Sequence, residues 1–173
     1  MNAPAARLPI AAIVAIGVLP AFAAQIELPP RKAGQWQVEM DTGAGPATTI
    51  TMCLDEATDA AMMQVGLSMS EDMCANLNTT RDGDTIVIDA TCTLGTMTTT
   101  SHSVISGDFQ SAYTIEIAST IEGAPEGMPA QSNITQRVTW TGACADGLAP
   151  GDMMMPGGMK MNVKDLMQTM GGG

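Results

Sequence analysis

From Gly34 the chain alternates. Trp36, Val38 and Met40 fall on one side of a run whose other side is Gln37, Glu39 and Asp41. That period of two marks a half-buried strand. The turn residues Gly43-Ala44-Gly45-Pro46 follow, and Thr48, Ile50 and Met52 resume the alternation, which predicts a hairpin. Before it, Pro29-Pro30 reads as an extended lead-in. The pattern then changes. Ala57, Ala60, Ala61 and Val65 recur at helical spacing behind Asp55, a candidate N-cap, and predict a short helix weakened by Gly66. Met62, Met63, Met69 and Met73 lie on it, and thioethers at helical spacing read first as adaptable core filler.

After Cys74 the strands come in quick succession. Asp82-Gly83 centres a hairpin whose return strand carries Ile86, Ile88, Ala90 and Cys92 on one face. The Thr-rich segment 96–105 suits a sheet edge or a solvent-facing strand. A turn at 106–109 leads to a strand with Tyr113, Ile115, Ile117 and Ile121 against Thr114, Glu116 and Thr120. The loop 122–132 precedes a last strand in which Ile134, Val138 and Trp140 oppose Thr135, Arg137 and Thr139. The expectation is a mainly β domain, an antiparallel meander of about seven strands in a curved sheet or partial barrel, with one short helix. Without helical crossovers the sheet is not parallel.

Both ends of the chain differ from this. Residues 1–23 carry one charge, Arg7, then an uncharged run from Leu8 to Phe22, with Ala21-Phe22-Ala23 as a small-x-small cleavage signal. This is the pattern of a signal peptide cut after Ala23. Pro9, Gly17 and Pro20 interrupt the run and leave it short of the roughly 20 apolar residues of a spanning helix, so no membrane span is expected after cleavage. Residues 24–144 form the expected single domain, and 145–173 read as a flexible tail rich in Met and Gly, with at most a helical turn or two over 161–170.

Charge and cysteine narrow the function. The net charge of −11 becomes −12 once Arg7 is removed, which disfavours nucleic acid and anionic membranes as partners. Four cysteines in an exported chain favour two disulfides, and their spacing does not resemble a redox or zinc motif. Cys74 and Cys92 flank Gly83 symmetrically, so a three-residue loop Asp82-Gly83-Asp84 brings them face to face and leaves Cys53 for Cys144. A two-residue Asp-Gly turn would set Leu77 against Ile88 instead and send the two cysteines to opposite faces.

The stretch Arg31 to Met40 with its Gly34-x-Trp36, Cys53-Leu54 ahead of a helix, Gly107-Asp108 before an aromatic residue, and a closing Gly142-x-Cys144 together resemble the small exported bacterial proteins grouped as DUF3617. The resemblance spans Arg31 to Cys144. It implies an exported domain of unknown function and no catalytic residue. Members of that family often stop at the last cysteine, whereas this chain continues into its Met-rich extension.

Little in the sequence suggests catalysis. The single histidine, His102, is flanked by hydroxyl residues, and the acidic pairs Asp55-Glu56 and Glu71-Asp72 suit capping and solvation. The tail holds the one metal candidate: Met155, Met159 and Met161 around a Pro-Gly-Gly bend could gather Cu(I), with Lys160 and Lys164 opposing it. Aromatic platforms are scarce: Trp36, Phe109, Tyr113 and Trp140, with Phe22 in the leader. The expected function is a non-enzymatic binding or interaction module of the cell envelope, without cofactor, whose partner is a small apolar ligand or an envelope protein. The alternative is a periplasmic Cu(I)-binding protein.

Overall fold

The computed structural model describes residues 28–165 and 168. The expected leader at 1–23, and Met167 and Met170 of the tail, lie outside these. Nine strands form one antiparallel sheet: β1 (Gly34–Asp41), β2 (Thr48–Leu54), β3 (Cys74–Asp82), β4 (Thr85–Leu94), β5 (Met97–Asp108), β6 (Ala112–Glu122), β7 (Gln131–Gly142), β8 (Asp152–Met154) and β9 (Lys160–Asn162). Their spatial order is β3-β4-β5-β6-β7-β1-β2-β8-β9. The meander therefore runs unbroken from β3 to β7, and the first hairpin is added on its far side. With β3 at one end and β9 at the other, the sheet is open. No helix among the described residues is long and apolar enough to cross a membrane.

The core occupies one end of one face. Trp36, Val38, Met52, Leu54, Ile86, Ile105, Phe109, Tyr113 and Val138 are buried together there. Strand register explains the meeting of these side chains. Val38 lies opposite Val138, which lies opposite Tyr113, which lies opposite Gly107. Gly107 has φ 118, and a Cβ on it would come within 2.8 Å of the Tyr113 Cα. The absent side chain lets Tyr113 stack on Phe109 with centroids 4.4 Å apart. Gly34 does the same service at the start of β1, where a Cβ would meet the Gly142 carbonyl at 2.3 Å. Both indole N–H groups beside it donate to the lead-in, Trp36 to the Lys32 carbonyl and Trp140 to the Ala33 carbonyl.

The helix α1 (Glu56–Met73) is 18 residues long and passes through Gly66, so the expectation of a short, weakened helix is corrected. Its Asp55 N-cap accepts from the Thr58 N–H and hydroxyl, bonds that hold the Asp55 carboxyl below its usual pKa. The buried residues are Thr58 and Asp59, whereas Ala57 and Ala60 are exposed. The reason is a charge pair. Arg31 donates its backbone N–H and its Nε to the two oxygens of Asp59, at 2.8 and 2.6 Å, with both side chains largely out of solvent. Asp59 stands in the first turn, where the helix dipole also favours a carboxylate. This bond fastens the helix and the lead-in to each other over the core.

The β3–β4 hairpin corrects the expected loop. Asp82 pairs with Thr85, leaving Gly83 and Asp84 as a two-residue turn with Gly83 at φ 61, the arrangement of a type II′ turn. In that register Leu77 lies opposite Ala90, one residue out of step for a Cys74 to Cys92 pairing. A register shift between Cys74 and Asn76 restores the step, and the two cysteines are bonded with their Cα atoms 3.8 Å apart. The other disulfide joins Cys53 to Cys144.

Among the described residues after Cys144, where a flexible tail is expected, lie two further strands, and the count rises from about seven to nine. The segment has no periodicity long enough to read because its strands are three residues each. Neighbours order it instead. Gly151 donates to the Cys53 carbonyl, Met52 and Thr51 pair with Met153 and Met154, and Val163 donates back to Gly151. Residues 163–165 are helical.

Candidate functional site: a polar trough across the sheet

Five strands, β3 to β7, of which β4 to β7 also supply the core, carry amides and hydroxyls on their other face. On the side of the sheet opposite the core, residues alternate outward in two parallel rungs. Asn78, Asp89, His102, Ala118 and Asn133 stand side by side across β3 to β7, and Asn76, Thr91, Thr100, Thr120 and Gln131 form the next rung. The right-handed twist of a wide sheet curls this surface. The result is an open trough of about 460 Å³ lined by these side chains. Neutral hydrogen-bonding groups dominate it, with no Phe, Tyr or Trp.

At its centre His102 Nδ1 lies 2.7 Å from the Asp89 carboxylate. The sequence flanks of His102 are hydroxyl residues, and the carboxylate partner comes from across the sheet. It was legible in principle. Gly95-Thr96 as a two-residue turn between β4 and β5 sets residue 89 opposite 102. Both side chains are more than half exposed, at 56% and 53%, so the pair sits in high dielectric rather than in a dry pocket. The Asp89 bond orients the ring and leaves Nε2 as the atom available to a ligand in the trough.

A second concavity lies on the core side, where Leu28, Pro29, Met62, Met63, Phe109 and Tyr113 enclose about 200 Å³ beneath the start of α1. It is the concavity suited to the small apolar ligand expected above, and it is smaller than the roughly 300–1,000 Å³ of ordinary small-molecule sites. Arg31 also lines it, so part of its wall is charged, and the Arg31 Nη1 lies 3.6 Å from the Met52 sulfur. Burial raises the Tyr113 phenol above its usual pKa.

The remaining candidates fall into place by chemistry. Asp55 caps α1, and Glu56 stands in its first turn; Glu71 and Asp72 are exposed near its last. No group of three or more His, Cys, Asp or Glu able to hold a metal occurs among the described residues. The tail candidates Met155, Met159 and Met161 are brought to one hairpin. Beside them Asp152 accepts from the Ala149 N–H, the Asn162 amide and the Lys160 ammonium, and these bonds pull its carboxyl down to about 2. Sequence reading missed Asp152 altogether, because its partners lie on both sides of it across a loop and a hairpin.

Neither the curated proteins nor the solved structures contain a match to this chain. One family model matches, over residues 31–144, and that stretch holds both structurally required glycines, the Arg31–Asp59 pair, both disulfides and the whole trough. With more than half of its length so matched, the chain belongs to the family described as "Protein of unknown function (DUF3617)".

Proposed function

We propose that the protein is an exported, disulfide-braced binding module of the cell envelope that acts by contact rather than turnover. Its working surface is the trough across β3 to β7, and its ligand is an extended chain of neutral hydroxyl and amide groups. The observation that carries this reading is the pair of rungs Asn78-Asp89-His102-Ala118-Asn133 and Asn76-Thr91-Thr100-Thr120-Gln131. Exposed strand faces are usually mixed with lysine and glutamate. Here the side chains instead offer amide and hydroxyl donors and acceptors at regular spacing, the complement of a polyhydroxylated or amide-bearing chain. The scarcity of basic residues and the net charge of −11 disfavour an anionic ligand. Export is supported by four cysteines that are all oxidised, a state that persists outside a reducing cytosol, and by the leader-like residues 1–23. The exposure of the Asp89–His102 pair supports contact rather than turnover, since water exclusion strengthens the electrostatics of a reacting site and this pair lacks it.

The test is 15N NMR of the protein titrated with maltohexaose, chitohexaose and a medium-chain fatty acid. The reading expects one of the oligosaccharides to shift the Asn76, Asn78 and Asn133 side-chain amides and the His102 backbone, and expects Ala118→Lys to abolish those shifts. Shifts confined to Met62, Met63 and Phe109 with the fatty acid would replace it by an apolar carrier.

A further inference from the structure

Every second residue of the β8–β9 hairpin is a methionine on the same side. Met153 pairs with Met161, and one rung further the Met155 N–H donates to the Met159 carbonyl at 2.8 Å. Strand alternation therefore puts Met153, Met155, Met159 and Met161 on one face of a closed hairpin. Pro156 and Gly157 make the bend, with Gly157 and Gly158 both at φ 83.

Two features separate this face from a patch of core. Met153 does pack against the core cluster, but Met159 is 64% exposed, and Met155 and Met161 are half-buried. Three thioethers thus stand toward the turn end of the hairpin. Of the two lysines that would repel a metal, Lys160 is held away. Lys160 lies on the opposite face with its Nζ 3.1 Å from the buried Asp152 carboxylate and 3.2 Å from the Gly147 carbonyl. The Asp152 bonds, the pairing to β2 and the Gly151 bond to the Cys53 carbonyl fix the hairpin to the domain, so the backbone that carries the methionines is ordered before any ligand arrives.

The geometry points to Met155, Met159 and Met161 as a Cu(I) site, with Met153 backing it. Thioethers are soft, uncharged donors that select Cu(I) over harder divalent ions. A pre-ordered set avoids the entropy cost of collecting ligands from a disordered chain. The site lies on the other side of the sheet from the trough, at the far edge, and stands or falls independently of the trough's ligand.

The experiment is competition of the purified protein with the chromophoric Cu(I) ligand bicinchoninate, with Ag(I) as a redox-inert second probe followed by the methionine ε-methyl NMR signals. One Cu(I) per chain should be withdrawn, and the ε-methyls of Met155, Met159 and Met161 should move with Ag(I) while Met62 and Met63 stay. Met159→Leu keeps an apolar side chain on an exposed position and removes one sulfur. It should weaken binding by about tenfold or more, each tenfold being about 1.4 kcal/mol. The triple Leu variant at 155, 159 and 161 should fail to compete while its circular dichroism and melting match the parent. Failure of the parent to take Cu(I), equal binding by Met159→Leu, or Ag(I) shifts at the α1 methionines would overturn the assignment.

Discussion

The two faces of β4 to β7 are built from the same strands and behave oppositely. Along β5, Ile105 is buried in the core, while three residues away His102 lies open in a trough. The strand geometry is the same at both. What differs is the cover. Over the core end the sequence supplies a second layer: the lead-in tied by Arg31, the first turns of α1, and the Phe109 turn stacked on Tyr113. Over the trough it supplies none, and the outward residues are small, neutral and polar. An open sheet that buries one end of one face and carries regular hydrogen-bonding groups on the opposite face keeps its packed core apart from its polar trough.

The largest effects should come from breaking the covered end. The Cys53–Cys144 bond spans 91 residues and the Cys74–Cys92 bond 18. On the chain-entropy account, a Cys→Ser double variant of the first loses roughly 4–5 kcal/mol of stability and of the second roughly 3, in the same denaturant series. Asp59→Ala leaves the Arg31 guanidinium buried without its carboxylate and should cost about 3–5 kcal/mol. It loosens α1 while the amide pattern of β5 and β6 at the trough stays unchanged, which NMR of the variant checks.

The tail hairpin gives a local effect with a defined sign. The Asp152 carboxyl is depressed to about 2 from the ordinary 3.8. Its charged form therefore favours the docked hairpin at every pH above about 4, and that contribution is lost as pH falls through about 2. Hydrogen exchange at Met153 and Met154 should stay slow at pH 4 and quicken near pH 2, and Asp152→Asn should remove this step. The smallest effect belongs to the trough. His102→Ala should change stability by no more than about 0.5 kcal/mol, as an exposed position does, in a thermal melt. A loss several times larger would mean that the trough is part of the framework.

Much of this division was legible in the chain. Alternation located β1, β2, β4, β6 and β7, because those strands bury one face over enough residues for a period to show, as with Trp36 and Val38 or Tyr113 and Ile115. The mainly β, antiparallel class followed. What failed were features that depend on partners distant in sequence. Asp59 reads as a surface residue until Arg31 is brought to it. The bulge beside Ala75 corrects a register that no local rule reveals. Strands of three residues, such as Asp152–Met154, carry no period at all and are ordered by the edge of β2. For the trough, the Thr-rich stretch suggested a solvent-facing strand, and β5 is one, yet it lies in mid-sheet between β4 and β6. The concavity comes from the strands on either side, which the single stretch could not show.

The most direct test of the division between cover and trough is a hydrogen–deuterium exchange footprint of the protein mixed with a solubilised cell-envelope fraction. The account predicts new protection on β4, β5 and β6 around Asp89, His102 and Ala118, and none on α1. Protection centred on Met62, Met63 and Phe109, with the trough exchanging as in the isolated protein, would contradict it.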